Sequence, residues 1–127
     1  LVGLDELLQA ADAVSLHAPV TDETKRMMGA HEFSLMRDGA LFVNCARAAL
    51  VDGDALREEL SSGRIRAYLD VYEPEPPPLD DVLRELDNVV MTPHVAGTTD
   101  LMFLRCGRRA IEALRAYFQH PVGGTAG

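Results

Sequence analysis

Residues 65–97, IRAYLDVYEPEPPPLDDVLRELDNVVMTPHVAG, decide how the rest of the chain is read. Two short apolar runs rich in β-formers, 65–72 and 88–92, end in ionisable or proline-bounded residues that a buried strand does not tolerate. Polar chemistry therefore gathers where the strands stop. In an open parallel sheet ligands sit outside the carboxyl ends of the strands, which puts Asp70, Glu75 and His94 where a site would be built.

Between the two runs, residues 73–78 carry too many prolines for a helix or an inner strand, and residues 79–86 predict a short helix. Upstream, ALFVNCA (40–46) predicts a strand whose end delivers Arg47. Asp52 is then the expected N-cap of a helix over 53–62, stopped by Gly63. AVSLH (13–17) reads as a strand halted by Pro19, and 4–11 as a short amphipathic helix with Asp5 and Glu6 in its first turn. Thr21 caps a helical turn over 22–28, and a second, over 31–36, precedes a turn at 37–39. Downstream, the longest helix begins after Thr98 or Thr99 and sets Phe103, Ala110, Ile111, Leu114 and Phe118 along one face. Residues 121–127 have no periodicity and read as a tail or linker. Four strands alternating with helices make the expected fold α/β with a parallel sheet.

At 127 residues the chain suits one domain, and 47% apolar with 25% charged residues is the balance of a globular protein. The net charge is −8 and the 12 Lys and Arg residues form no basic stripe, so nucleic acid is not expected as a partner. No apolar run approaches the ~20 residues of a membrane span and no charged-then-apolar leader precedes the first helix. The expectation is a soluble, cytoplasmic protein that meets no membrane. Cys45 and Cys106 are far apart and outside CxxC spacing, which argues against a disulfide framework and a zinc site.

Arg47, at a strand end, presents a planar fork suited to gripping a carboxylate; it equally suits capping a carbonyl or pairing at the surface. His94, after Pro93, is a candidate general acid or base, against the structural role a lone histidine more often has. A carboxylate bonded to it would fix its tautomer, and Glu75 or Glu73 could reach it. Asp70, ending a buried strand, either receives a ligand's amide or caps neighbouring backbone donors. Serine-nucleophile and metal chemistry both lack their spacing: there is no GxSxG and no tight His/Asp/Glu set.

In SLHAPVTDET (15–24), NCARAALVDGDAL (44–56), LDVYEPEP (69–76) and NVVMTPHVAG (88–97), the chain resembles the D-isomer-specific 2-hydroxyacid dehydrogenases. The resemblance implies a partial Rossmann-type parallel sheet of about four strands with helices on both faces, forming over 1–120 the second half of a dinucleotide-binding domain. It implies that Arg47 binds the substrate carboxylate and keto oxygen, that His94 gives and takes the proton, and that Glu75 pairs with the histidine. It makes Asp70 the holder of a nicotinamide carboxamide, with Ala18, Cys45, Ala46 and Gly97, beside Arg47 and His94, lining the cofactor. The implied cofactor is NAD, with NADP left open, and the implied substrate a small D-2-hydroxy or 2-keto acid. Ala48 departs from the glycine that usually follows the arginine. The Gly-rich turn, the acidic residue after it and the substrate domain have no counterpart in the 127 residues. The expectation is therefore a fragment that binds NAD weakly, turns over little, and associates, as a homodimer, through an unpaired sheet edge. The alternative is a non-catalytic dinucleotide-sensing module of the corepressor type on the same fold.

Overall fold

Strands of only three or four residues cannot bury much alone, so this chain relies on four of them in register. The computed structural model describes residues 1–119. β1 (Ala13–Leu16), β2 (Leu41–Asn44), β3 (Arg66–Leu69) and β4 (Val89–Met91) lie side by side in chain order, all parallel. Register aligns Val14, Phe42, Ala67 and Val89 in one row, and Leu16, Asn44, Leu69 and Met91 in the next. Because side chains alternate along a strand, both rows face the same side.

That side is the core. α1 (Leu4–Ala10), α2 (Ala30–Leu35) and α3 (Gly53–Ser61) set Leu8, Phe33, Leu56 and Leu60 into one cluster with Val14, Leu16, Phe42 and Leu69. Phe33 meets Phe42 edge-on with ring centroids 5.2 Å apart, a favoured aromatic geometry. Strands added stepwise in one direction through right-handed crossovers send every connection over the same face. Within Leu1–His94, α1, α2 and α3 contribute to the core on this face, and Ser15, Val43, Tyr68 and Val90 line the other, half-buried or exposed.

Local chemistry sets the ends. Asp52 Oδ1 accepts from the amides of Asp54 (3.1 Å) and Ala55 (3.2 Å), the expected N-cap of α3, and Gly63 stops it at φ +74°. The helix expected over 79–86 is a 3-10 turn, Val82–Arg84. Its shortness has a cause: Asp81 is extended and spends a carboxylate oxygen on the Leu83 amide, so winding starts only there. Asn88 Nδ2 donates to the carbonyls of Leu60 (2.9 Å) and Ile65 (2.8 Å), tying the end of α3 to the start of β4.

The described residues separate into two units, Leu1–His94 and a second that begins at Val95. The second holds α4 (Asp100–Gln119), whose first turn is capped by Thr99, Oγ1 accepting from the Met102 amide at 3.1 Å. Phe103, Ile111, Leu114 and Phe118, the apolar face expected from the sequence, are exposed. No helix among the described residues is long and apolar enough to cross a membrane. The tail assigned to 121–127 lies outside the described residues.

Candidate active site

Parallel strands end together, so the segments leaving β2, β3 and β4 rise from one edge of the sheet. The segment after β2 is shaped by Asn44, a 2% exposed amide in an otherwise apolar strand. Its Nδ2 donates to the Arg47 carbonyl and its Oδ1 accepts from the Ala46 amide, both at 3.1 Å. A buried amide left unpaired is costly, so this fork holds the chain in the bend that turns Arg47 out to solvent. Arg47 is extended (φ −149°, ψ 142°) and donates from one guanidinium nitrogen to the Ala46 carbonyl at 2.6 Å. Ala48–Leu50 follow as a 3-10 turn with no positive φ, so the alanine in place of glycine meets no backbone strain.

The segment after β3 carries the carboxylates. Asp70, 1% exposed, accepts the Thr92 hydroxyl at Oδ1, a link between the ends of β3 and β4. Glu75 stands in the proline segment, which Arg84 braces by donating to the carbonyls of Pro78 (2.8 Å) and Pro77 (2.9 Å). After β4, Pro93 turns the chain and the His94 amide donates back to the Thr92 carbonyl at 3.0 Å. His94 has φ 56°, a left-handed conformation that costs a non-glycine residue of order 1–3 kcal/mol and recurs at functional sites.

Glu75 and His94, 19 residues apart, meet: Nδ1 lies 2.7 Å from Oε1. Nδ1 then carries the proton to the carboxylate, and Nε2 is left to exchange one with a ligand. Arg47, Glu75 and His94 line one cleft of about 220 Å³ together with Glu73, Val71 and Tyr72. Of the two glutamates that could reach the imidazole, Glu75 makes the contact.

Ala18 and Ala46 line an adjoining cleft of about 480 Å³ with His17, Pro19, Val20 and Arg47, so Arg47 borders both spaces. Cys45 is half-buried next to them; burial, then the charge of Asp70, pushes its thiol up from the ordinary value. Asp70 lies beneath the surface and lines neither cleft. Gly97 belongs to the second unit. Asn44, Thr92 and Tyr72 were not singled out from the sequence, although a lone amide ending an apolar strand was a legible signal for Asn44.

Residues 1–96 match the family described as D-isomer specific 2-hydroxyacid dehydrogenase, NAD binding domain. A D-3-phosphoglycerate dehydrogenase of Archaeoglobus fulgidus is 47% identical over 100 residues, covering 78% of this chain and 19% of that one. A hydroxypyruvate reductase of Thermotoga maritima is 40% identical over 117 residues, covering 89% of this chain and 38% of its own length. The solved D-lactate dehydrogenase of Aquifex aeolicus, complexed with NAD and lactic acid, superposes with a TM-score of 0.75 at 34% identity, over 93% of this chain and 40% of that one. The chain thus spans from 19% to 40% of the length of these relatives. With a parallel sheet of the same fold and a match over three quarters of its length, the chain belongs to the D-isomer specific 2-hydroxyacid dehydrogenase, NAD binding domain family.

Proposed function

We propose that these residues form the nicotinamide-side half of an oxidoreductase acting on a small D-2-hydroxy acid or the matching 2-keto acid. The observation that carries the reading is the 2.7 Å Glu75–His94 contact in a cleft that also holds Arg47. An imidazole oriented by a carboxylate, next to a guanidinium at a strand end, is what a reaction needs when it moves a hydroxyl proton beside a fixed carboxylate.

The residues present fit the nicotinamide end of a dinucleotide. The small side chains of Ala18 and Ala46 leave room beside Arg47, whereas Asp70 is buried beneath the clefts and bonded to the Thr92 hydroxyl, so its proposed part toward the carboxamide rests on the family resemblance alone. Cys45, half-buried next to Ala46, completes the proposed lining within Leu1–His94. The sequence holds no Gly-rich turn for a pyrophosphate, so the fit extends to that end alone. When bound, the cofactor supplies or accepts the hydride at the substrate's C2.

The chain's own residues do the rest. Arg47 grips the substrate carboxylate with two parallel N–H donors and offsets negative charge as it develops on the keto oxygen. His94, with Nδ1–H held by Glu75, delivers a proton from Nε2 to that oxygen during reduction and takes it back during oxidation. Glu75 keeps the tautomer and stabilises the imidazolium without itself being protonated. Two free thiols are in keeping with a cytoplasmic setting, and a sheet edge left unpaired among the described residues supports association as a homodimer.

A corepressor-type module would need none of this proton chemistry, so the His94–Glu75 contact favours the enzyme. In the full reading frame that contains these residues, NADH oxidation with glyoxylate or hydroxypyruvate is expected, and His94→Ala should lower it by roughly 10²–10⁴-fold. Turnover unchanged by that substitution would refute the proposal.

A further inference from the structure

Tyr72 has no part in the chemistry above, yet it touches the ends of both strands that carry it. Its ring is half-buried and lines the cleft of Arg47, Glu75 and His94. It also lines a second cleft of about 470 Å³ walled by Pro76, Pro77 and Pro93. The hydroxyl lies 2.6 Å from the Leu69 carbonyl and 2.8 Å from that of Thr92. A phenol carries one proton, so two acceptors share it.

Both acceptors matter. The Leu69 carbonyl also takes the Thr92 amide at 2.9 Å, the last rung between β3 and β4. The Thr92 carbonyl takes the His94 amide at 3.0 Å, closing a tight turn over Pro93. His94 then stands in a left-handed conformation that only its surroundings can hold. Burial, and then the charges of Asp70 and Glu75, push the Tyr72 phenol up from its ordinary value against the lowering effects of the Thr92 bond and Arg84, which keeps it an O–H donor.

We propose that Tyr72 is a positioning residue: its hydroxyl bridges the ends of β3 and β4, fixes the carbonyl from which the His94 amide hangs, and so keeps the imidazole against Glu75. The role of His94 rests on the dehydrogenase reading; the way it is held does not. The two can therefore fail separately.

Tyr72→Phe removes the oxygen and keeps the ring. In the 127-residue chain, amide exchange at His94 should quicken roughly tenfold and the Nδ1 proton resonance should broaden, as expected for one lost hydrogen bond, while the β2 amides keep their rates. Unchanged exchange at His94 would overturn the proposal, and so would equal quickening in β2, because the hydroxyl would then serve only the general fold. In the full reading frame the same variant should lose about three- to tenfold in kcat with KM for the 2-keto acid unchanged. An undiminished kcat, or a change confined to KM, overturns it as well. If instead His94→Ala leaves turnover intact, the dehydrogenase reading falls while the exchange result stands.

Discussion

Removing the Asp81 carboxylate tests how the segment leading into β4, and through it His94, is tied to α3. Asp81 has a side chain 3% exposed, and Arg57 one that is 29% exposed. The guanidinium donates to Asp81 through Nη2 (2.7 Å) and Nε (3.3 Å), and the Leu83 amide donates to the same carboxylate at 3.1 Å. Asp81→Ala therefore loses a cap, about 1 kcal/mol. It also loses a charge-assisted pair that would contribute about 1.5–3 kcal/mol if fully enclosed. Arg57 is partly solvated and keeps its bond to the Gly53 carbonyl, which reduces that second contribution to about 1–2 kcal/mol. The expected loss is about 2–3 kcal/mol, a urea midpoint lower by about 1 M or slightly more for a slope near 2 kcal/mol/M.

The same pair has a pH signature. The Arg57 hydrogen bond is the chief cause that holds the Asp81 carboxyl below the usual carboxylate range, outweighing burial. As pH falls, the unfolded chain takes up this proton before the folded one does, so the stability the group contributes is complete above about pH 4 and is lost through the lower folded value. The gap between wild type and Asp81→Ala should accordingly be full at pH 7 and close below pH 4. Circular dichroism followed through urea at several pH values measures it. A gap under about 0.5 kcal/mol, or one that is the same at pH 7 and pH 3, would refute the reasoning.

Arg47→Lys exchanges a planar fork for a point charge and should raise KM for the 2-keto acid at least about tenfold in the full reading frame, with kcat also lower; steady-state kinetics showing neither would remove Arg47 from carboxylate binding. With iodoacetamide near pH 8, Cys106, which is exposed, should be labelled before Cys45, whose thiol is half-buried and pushed up by burial and Asp70. Equal labelling rates by mass spectrometry would contradict that electrostatic picture.

Linked motifs in order, apolar runs with polar ends, and the Asp52 and Gly63 signals made the parallel sheet, α3 and the candidate residues legible beforehand. They were legible because strand ends, caps and turns depend on neighbours along the chain. The helix expected over 79–86 failed because periodicity does not register a side chain that competes for the backbone, as Asp81 does at Leu83. Alternation within each strand could not say which face the helices cover, since that depends on the order of strands in the sheet. The sequence by itself determined which residue types stand at the strand ends, and spacing alone left Glu73 and Glu75 as rivals for His94 until the family motif favoured Glu75. Only the tertiary structure brought that carboxylate to the imidazole, drew Arg47 into the same cleft and set the Tyr72 hydroxyl between two carbonyls, because contacts across 19 or 20 residues depend on how strands register and loops fold over them.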